Sequence, residues 1–323
     1  AQTALEALVA NAALYGEKVK GAAHPLYLVG CVGTGDGRAM LLVSLIVAAL
    51  FALMWALLAH SFLKLSTATG ASGHTVYRER TLKRQSADAA LFKKELARFT
   101  ASPNYMLNCG LGILLLPVAG VALVIKGGEL LPLLQMAFGN RGGCAEVLLC
   151  TGVCTVAAMN DMAAPSVSLE GKNLWLAQSL PVTPWQVLRA KLKVQFALTA
   201  IPALVPLVCM AFVLPLTPAL PLIFVTALSY IAFSACLGLT LGVMRANLTW
   251  TNELAPVKQS LAVAIAMFGG WAYALLLAGL YLLLGWRIGA AVYLALVSAA
   301  TIAAALALLK WLKTKGAQRL AAL

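Results

Sequence analysis

The sequence predicts an all-α fold, a polytopic transmembrane helical bundle with an interfacial elbow helix and a cytoplasmic loop built as a short coupling helix. Three observations carry this expectation. Hydrophobic residues make up 62% of the 323 residues and charged residues only 11%, whereas soluble domains carry about 25% charged residues. Residues 194–244, 259–286 and 288–309 contain no Asp, Glu, Lys, Arg or His, and a helix that crosses a bilayer needs roughly 20 such residues. Lysine and arginine gather on alternate connections, the pattern that marks cytoplasmic loops.

The elements follow in order. Residues 1–38 lack the basic, apolar and cleavage regions of a signal peptide, and the first span is expected at 39–62. If that span runs from outside to inside, an odd number of spans must precede it. Residues 1–64 are therefore expected to be the remnant of a preceding, N-terminally truncated transmembrane domain. Residues 65–85 are polar and basic, with Arg78, Arg80, Lys83 and Arg84 against Glu79, and form a cytoplasmic linker. Residues 86–323 then hold a six-span domain.

That domain opens with the elbow. Ser86 caps a helix on which Phe92, Leu96 and Phe99 share a face while Lys93, Lys94 and Arg98 lie off it, the layout of a helix lying in the interface plane. Ser102-Pro103 breaks it and starts a span at 104–125. The next span is expected at 144–162, ending in Asn160 and Asp161, which tether its end to neighbouring helices. Two spans share 194–244, divided near Pro215 and Pro218, and two more occupy 259–286 and 288–309. The total is seven.

Residues 160–191 connect two of these spans and give a hinged pair of short helices. Ser168 caps a first turn carrying Glu170, Pro181 ends it, and Thr183-Pro184-Trp185-Gln186 supplies a capping box with proline at the first helical position. Leu169, Leu174 and Trp175 offer apolar anchors, Glu170 and Lys172 supply orienting charge, and Gly171 permits a bend or a close backbone approach. From the residues alone, this helix either packs on headgroups or docks on a protein partner.

The net charge of +13 follows this topology and implies no nucleic acid. Basic residues crowd the linker, the 160–191 loop, Arg245 with Lys258, and the tail with Lys310, Lys313, Lys315 and Arg319. The other side keeps Arg38, Lys126, Arg141 and Arg287. The C-terminus is thus expected in the cytoplasm of a multi-pass protein of the cell membrane. No catalytic set and no metal site emerges: His24, His60 and His74 are dispersed, and Glu146, Cys150 and Cys154 share a helix face without a fourth ligand. Seven cysteines, mostly within spans, give no disulfide framework. Gly33-Thr-Gly-Asp-Gly37 lacks the lysine of a phosphate-binding loop.

The runs Leu91-Phe-Lys-Lys-Glu-Leu-Ala-Arg-Phe-Thr-Ala-Ser-Pro-Asn-Tyr-Met-Leu-Asn108 and Ser168-Leu-Glu-Gly-Lys-Asn-Leu-Trp-Leu-Ala-Gln-Ser-Leu-Pro-Val-Thr-Pro184, with Trp311-Leu-Lys-Thr-Lys315, resemble the membrane subunits of bacterial ATP-binding-cassette (ABC) exporters of the ABC-2-like class. The resemblance spans residues 39–323. It implies a permease that forms the translocation path and binds no cofactor itself, with ATP bound by a partner ATPase subunit. It further implies that residues 168–180 are the element that meets the ATPase, and that the domain pairs with a second six-span domain, as a homodimer or in tandem. A secondary transporter and an intramembrane enzyme, neither needing an ATPase, remain the alternatives.

Overall fold

An apolar run that crosses a bilayer must close its backbone hydrogen bonds within itself, and a helix does so. In the computed structural model, which describes residues 24–67, 85–138 and 142–323, the long apolar runs are helical and no strand occurs among the described residues. The chain is an all-α polytopic membrane bundle. It divides into two compact units, Ala1–Leu82 and Lys83–Leu323. In the first, α1 (His24–Gly33) turns at Gly35, whose φ is +85°, into α2 (Gly37–Thr67), which holds an apolar stretch long enough to span at Gly37–Phe62. Most of the expected linker at 65–85 lies outside the described residues, as do residues 1–23 and Arg141.

The second unit begins with the elbow. The Ser86 hydroxyl accepts from the Ala89 N–H at the start of α3 (Ala87–Ala101). Ser102 then leaves the helix and accepts from Tyr105 N–H, and Pro103 opens α4 (Pro103–Cys109). A second break at Gly110 precedes α5 (Leu111–Phe138). The span expected at 104–125 is thereby corrected: it starts at Leu111, after a separate turn, and its helix continues well beyond Lys126.

The span expected at 144–162 needs a larger correction. Its helix, α6 (Cys144–Ala157), has 14 residues, or about 21 Å at 1.5 Å per residue, against a hydrocarbon core of about 30 Å. Among the described residues six helices are long and apolar enough to cross, and α6 is not one of them. After Ala157 the backbone is irregular, passes through the single turn α7 (Ala163–Ser166), and then a 3-10 stretch (Ser168–Asn173). Nearly all of residues 157–171 are buried, the condition under which broken backbone is tolerated in a membrane protein.

Next come α8 (Leu174–Ser179), α9 (Pro184–Val213), α10 (Ala219–Met244), α11 (Leu254–Lys258), α12 (Leu261–Leu283) and α13 (Ala290–Trp311). A π turn (Leu312–Gly316) carries the last into α14 (Ala317–Ala322). The expected capping box is present: Thr183 accepts from Gln186 N–H, Gln186 Oε1 accepts from Thr183 N–H at 2.8 Å, and Pro184 is the first helical residue. Ser168 caps no helix, because its hydroxyl accepts from Asn247 N–H at 3.0 Å instead.

The core lies among α5, α6, α9, α10, α12 and α13, with Tyr230, Ile223 and Leu294 fully enclosed. Gly238 and Gly242 let the broken segment lie against α10. A Cβ at Gly238 would stand 2.6 Å from Asp161 Oδ1, and one at Gly242 would collide with the Ala164 carbonyl oxygen. With 30 residues, α9 is about 45 Å long, so one end must project. That end carries Arg189, Lys191 and Lys193, and it meets the tail, where Lys313 lies 5.6 Å from the Trp185 ring centroid.

Candidate functional site

The projecting end is built around Lys191. At its depth on α9 this side chain has no exposed surface, so its charge needs partners. Its Nζ donates to Glu95 Oε2 on α3 at 2.9 Å, to Glu170 Oε1 in the 3-10 stretch at 2.9 Å and to the Ser166 carbonyl at 3.0 Å. Glu170 also accepts from Arg98 at 2.6 Å and from Lys94 at 3.2 Å. Two carboxylates thus face three cations, and elbow, loop and α9 are clamped together. Burial pushes the Glu170 carboxyl up, but Lys191, Arg98 and Lys94 outweigh it and hold that carboxyl well below the usual carboxylate range. A second, more exposed pair, Arg189 with Asp88, ties the start of α3 to α9; the Arg189 hydrogen bond lowers the Asp88 pKa against a smaller effect of burial.

The loop after α10 seals the other side of the 3-10 stretch. Trp250 Nε1 donates to the Ser168 carbonyl at 2.6 Å, and its ring lies 3.3 Å from where a Cβ on Gly171 would be. Gly171 sits at φ +53°, in the left-handed region that favours glycine. The tail closes the rim, where Gln178 Nε2 donates to Leu320 O at 3.1 Å and Arg319 donates to Met244 O at 3.0 Å. The basic segments of elbow, loop and tail therefore meet at one end of the unit.

On this base stands α8, and its two faces differ. Leu174 and Ala177 turn inward, Leu174 packing in a cluster with Val167, Val187, Leu188, Leu312 and Leu320. Trp175 is 60% exposed, Leu176 48% and Leu180 45%, and Lys172 is exposed as well. The expected role of Leu174 as an outward anchor is thereby corrected: it is a core residue. Leu169 is likewise buried, with Phe99, Tyr105, Met162 and Val257, and Glu170 orients no outside partner because three cations of its own chain consume it. Only Lys172 and Trp175 of the expected contact set face outward.

The elbow departs from its expected pattern for the same reason. Leu91, Glu95 and Phe99 form its buried edge, Phe92 and Leu96 are half-buried, and Lys93 is exposed. Lys94 and Arg98 turn towards Glu170 rather than away from the bundle.

Asn160 and Asp161 are 0% and 4% exposed. The Asp161 N–H donates to Cys109 O at 3.0 Å, across from the break at Gly110, and Gln195 Nε2 donates to Asn160 O while Gln195 Oε1 accepts from Ala163 N–H at 2.8 Å. The tie runs through backbone and Gln195, while the Asn160 amide and both Asp161 carboxyl oxygens have no hydrogen bond of normal geometry.

Sequence reasoning missed Glu95, Gln195, Trp250 and the pair of Asp88 with Arg189, and treated Lys191 as a topological charge. Acid scarcity was the available signal. With 11 acids to 24 bases, any acid inside a basic segment is a candidate counter-ion, and Asp88, Glu95 and Glu170 are such acids. Among the described residues, no group of His, Cys, Asp and Glu could hold a metal. No family model, curated protein or solved structure matches the chain.

Proposed function

We propose that the chain is the membrane permease subunit of an ATP-driven exporter and that α8 is the element on which a separate ATPase subunit docks. One observation carries this: a short helix whose base is locked by buried ion pairs presents Trp175 and Leu176 to the outside, with Leu180 exposed just past its end. A lever must be stiff at its root and adhesive at its tip, and this element is both. Exposed aromatics in a small apolar patch are the residues that dominate protein interfaces. The basic end of the bundle would face the cytoplasm, where ATP is, and the long α9 would carry motion of α8 into the membrane. The chain has no phosphate-binding loop of its own.

The test separates the two faces of α8. Trp175→Asp and Leu176→Asp place a charge on the outer face, so the protein should fold, insert and keep its melting temperature while losing copurification of the ATPase and ATP-driven export together. Leu174→Asp should instead fail in folding, because it buries a carboxylate among Val187, Leu188 and Leu320. Unchanged ATPase copurification and export in both outer-face variants would defeat the reading.

A secondary transporter is the second reading, favoured by Asp161, a buried carboxyl at a broken span, since such transporters place their ion sites at broken helices. Under it, transport would follow an ion gradient, ignore ATP depletion and be lost in Asp161→Asn.

A further inference from the structure

Between α5, α6 and α9 the bundle leaves a groove of about 360 Å³, at the small end of ligand pockets, which run from about 300 to 1,000 Å³. Its cause is local. α5 and α9 press together at Gly120, where a Cβ would stand 2.8 Å from Pro206 Cα, and Pro206 itself lines the groove. Opposite, α6 offers Gly152, around which a Cβ would meet no atom within 4 Å. The short α6 therefore leaves a lane between the longer helices, walled by Leu123, Leu149, Val153 and Met210.

Among the described residues one charged side chain lines this lane, Lys126. It pairs with Glu129 at 3.0 Å, but both side chains are more than half exposed, 53% and 68%, and such pairs are weak. A buried-chain ligand with an anionic head can displace Glu129, because its apolar body already fixes the head beside the ammonium. A neutral ligand gains nothing from Lys126, which then keeps its pair with Glu129, and a two-chain lipid exceeds a single lane of this volume.

We propose that this groove is a binding site for a single-chain anionic amphiphile, such as a long-chain carboxylate, with its chain along Gly152 and its head on Lys126. The site needs no ATPase and stands independently of the exporter reading.

The experiment uses the purified full chain in detergent with a photoactivatable long-chain fatty acid. Labelling should saturate and map to α5, α6 and α9. Gly152→Phe and the milder Gly152→Leu fill the lane and should abolish saturable labelling at an unchanged melting temperature. Lys126→Gln should weaken competition by the unlabelled acid about tenfold, the scale of one charge-assisted contact, while competition by the matching fatty alcohol stays as it was. Non-saturable labelling, or full labelling in a folded Gly152→Leu protein, would overturn the proposal. Equal competition by a diacyl phospholipid, with no effect of Lys126→Gln, would also overturn it and assign the groove to bulk lipid.

Discussion

Lys191 donates to Glu170 at 2.9 Å with both side chains withdrawn from water, 0% and 2% exposed. A sealed pair of this kind adds little net stability when whole, yet breaking it leaves an uncompensated charge. The pair therefore fixes geometry: Glu170 cannot leave the end of α9 without dragging a charge through the protein. The same carboxylate holds Lys94 and Arg98 of the elbow, so a displacement of the loop would have to carry α9 and the elbow with it or break these pairs.

The first prediction follows from this. Lys191→Met should destabilise the protein by about 3–5 kcal/mol, the range for removing one member of a buried pair, whereas Arg189→Gln, in the more exposed and solvent-screened pair with Asp88, should cost far less. Denaturation of the two variants in one detergent compares them directly, and equal losses would contradict the clamp.

The second concerns pH. Glu170 has a folded-state pKa below its unfolded value, so its contribution is complete above about 4.3, the ordinary glutamate value, and is lost as pH falls towards the lower folded value. The stability difference between the wild type and Glu170→Gln should stay constant from pH 8 to about 5 and shrink only below about 4. A difference that vanished between pH 7 and 6 would show that the carboxyl is not held by these cations.

The third concerns the broken segment. A Cβ at Gly242 meets the Ala164 carbonyl, which is backbone and cannot step aside, while one at Gly269 meets nothing within 4 Å. Gly242→Ala should cost about 1–3 kcal/mol through overpacking, and Gly269→Ala should be neutral or stabilising by up to about 1 kcal/mol. Melting curves of the pair would settle it, with equal behaviour counting against the close approach of α10 to residues 161–164.

Charge-free runs made the later spans legible, and the prolines at 215 and 218 fell where α9 and α10 part. The broken span was not legible, because hydropathy cannot distinguish a helix ending in Asn160-Asp161 at the surface from one that breaks and stays buried. Gly238 and Gly242, which enclose that break, lie about eighty residues away in sequence. The clamp was hidden for the same reason, since Lys191 and Glu95 are 96 positions apart. On α8, Leu174, Trp175 and Leu176 are consecutive and all apolar, so packing against distant residues such as Val187, Leu188, Leu312 and Leu320 decides which of them turns inward.

The most direct test of the account is a photocrosslinking residue in place of Trp175, activated in native membranes, with the crosslinked species identified by mass spectrometry. The outer face of α8 is predicted to capture an ATPase subunit carrying a phosphate-binding loop, and a crosslinker at Leu174 in the folded protein is predicted to capture only segments of the same chain around Leu320. Capture of lipid alone from position 175 would contradict the account and return α8 to the membrane surface.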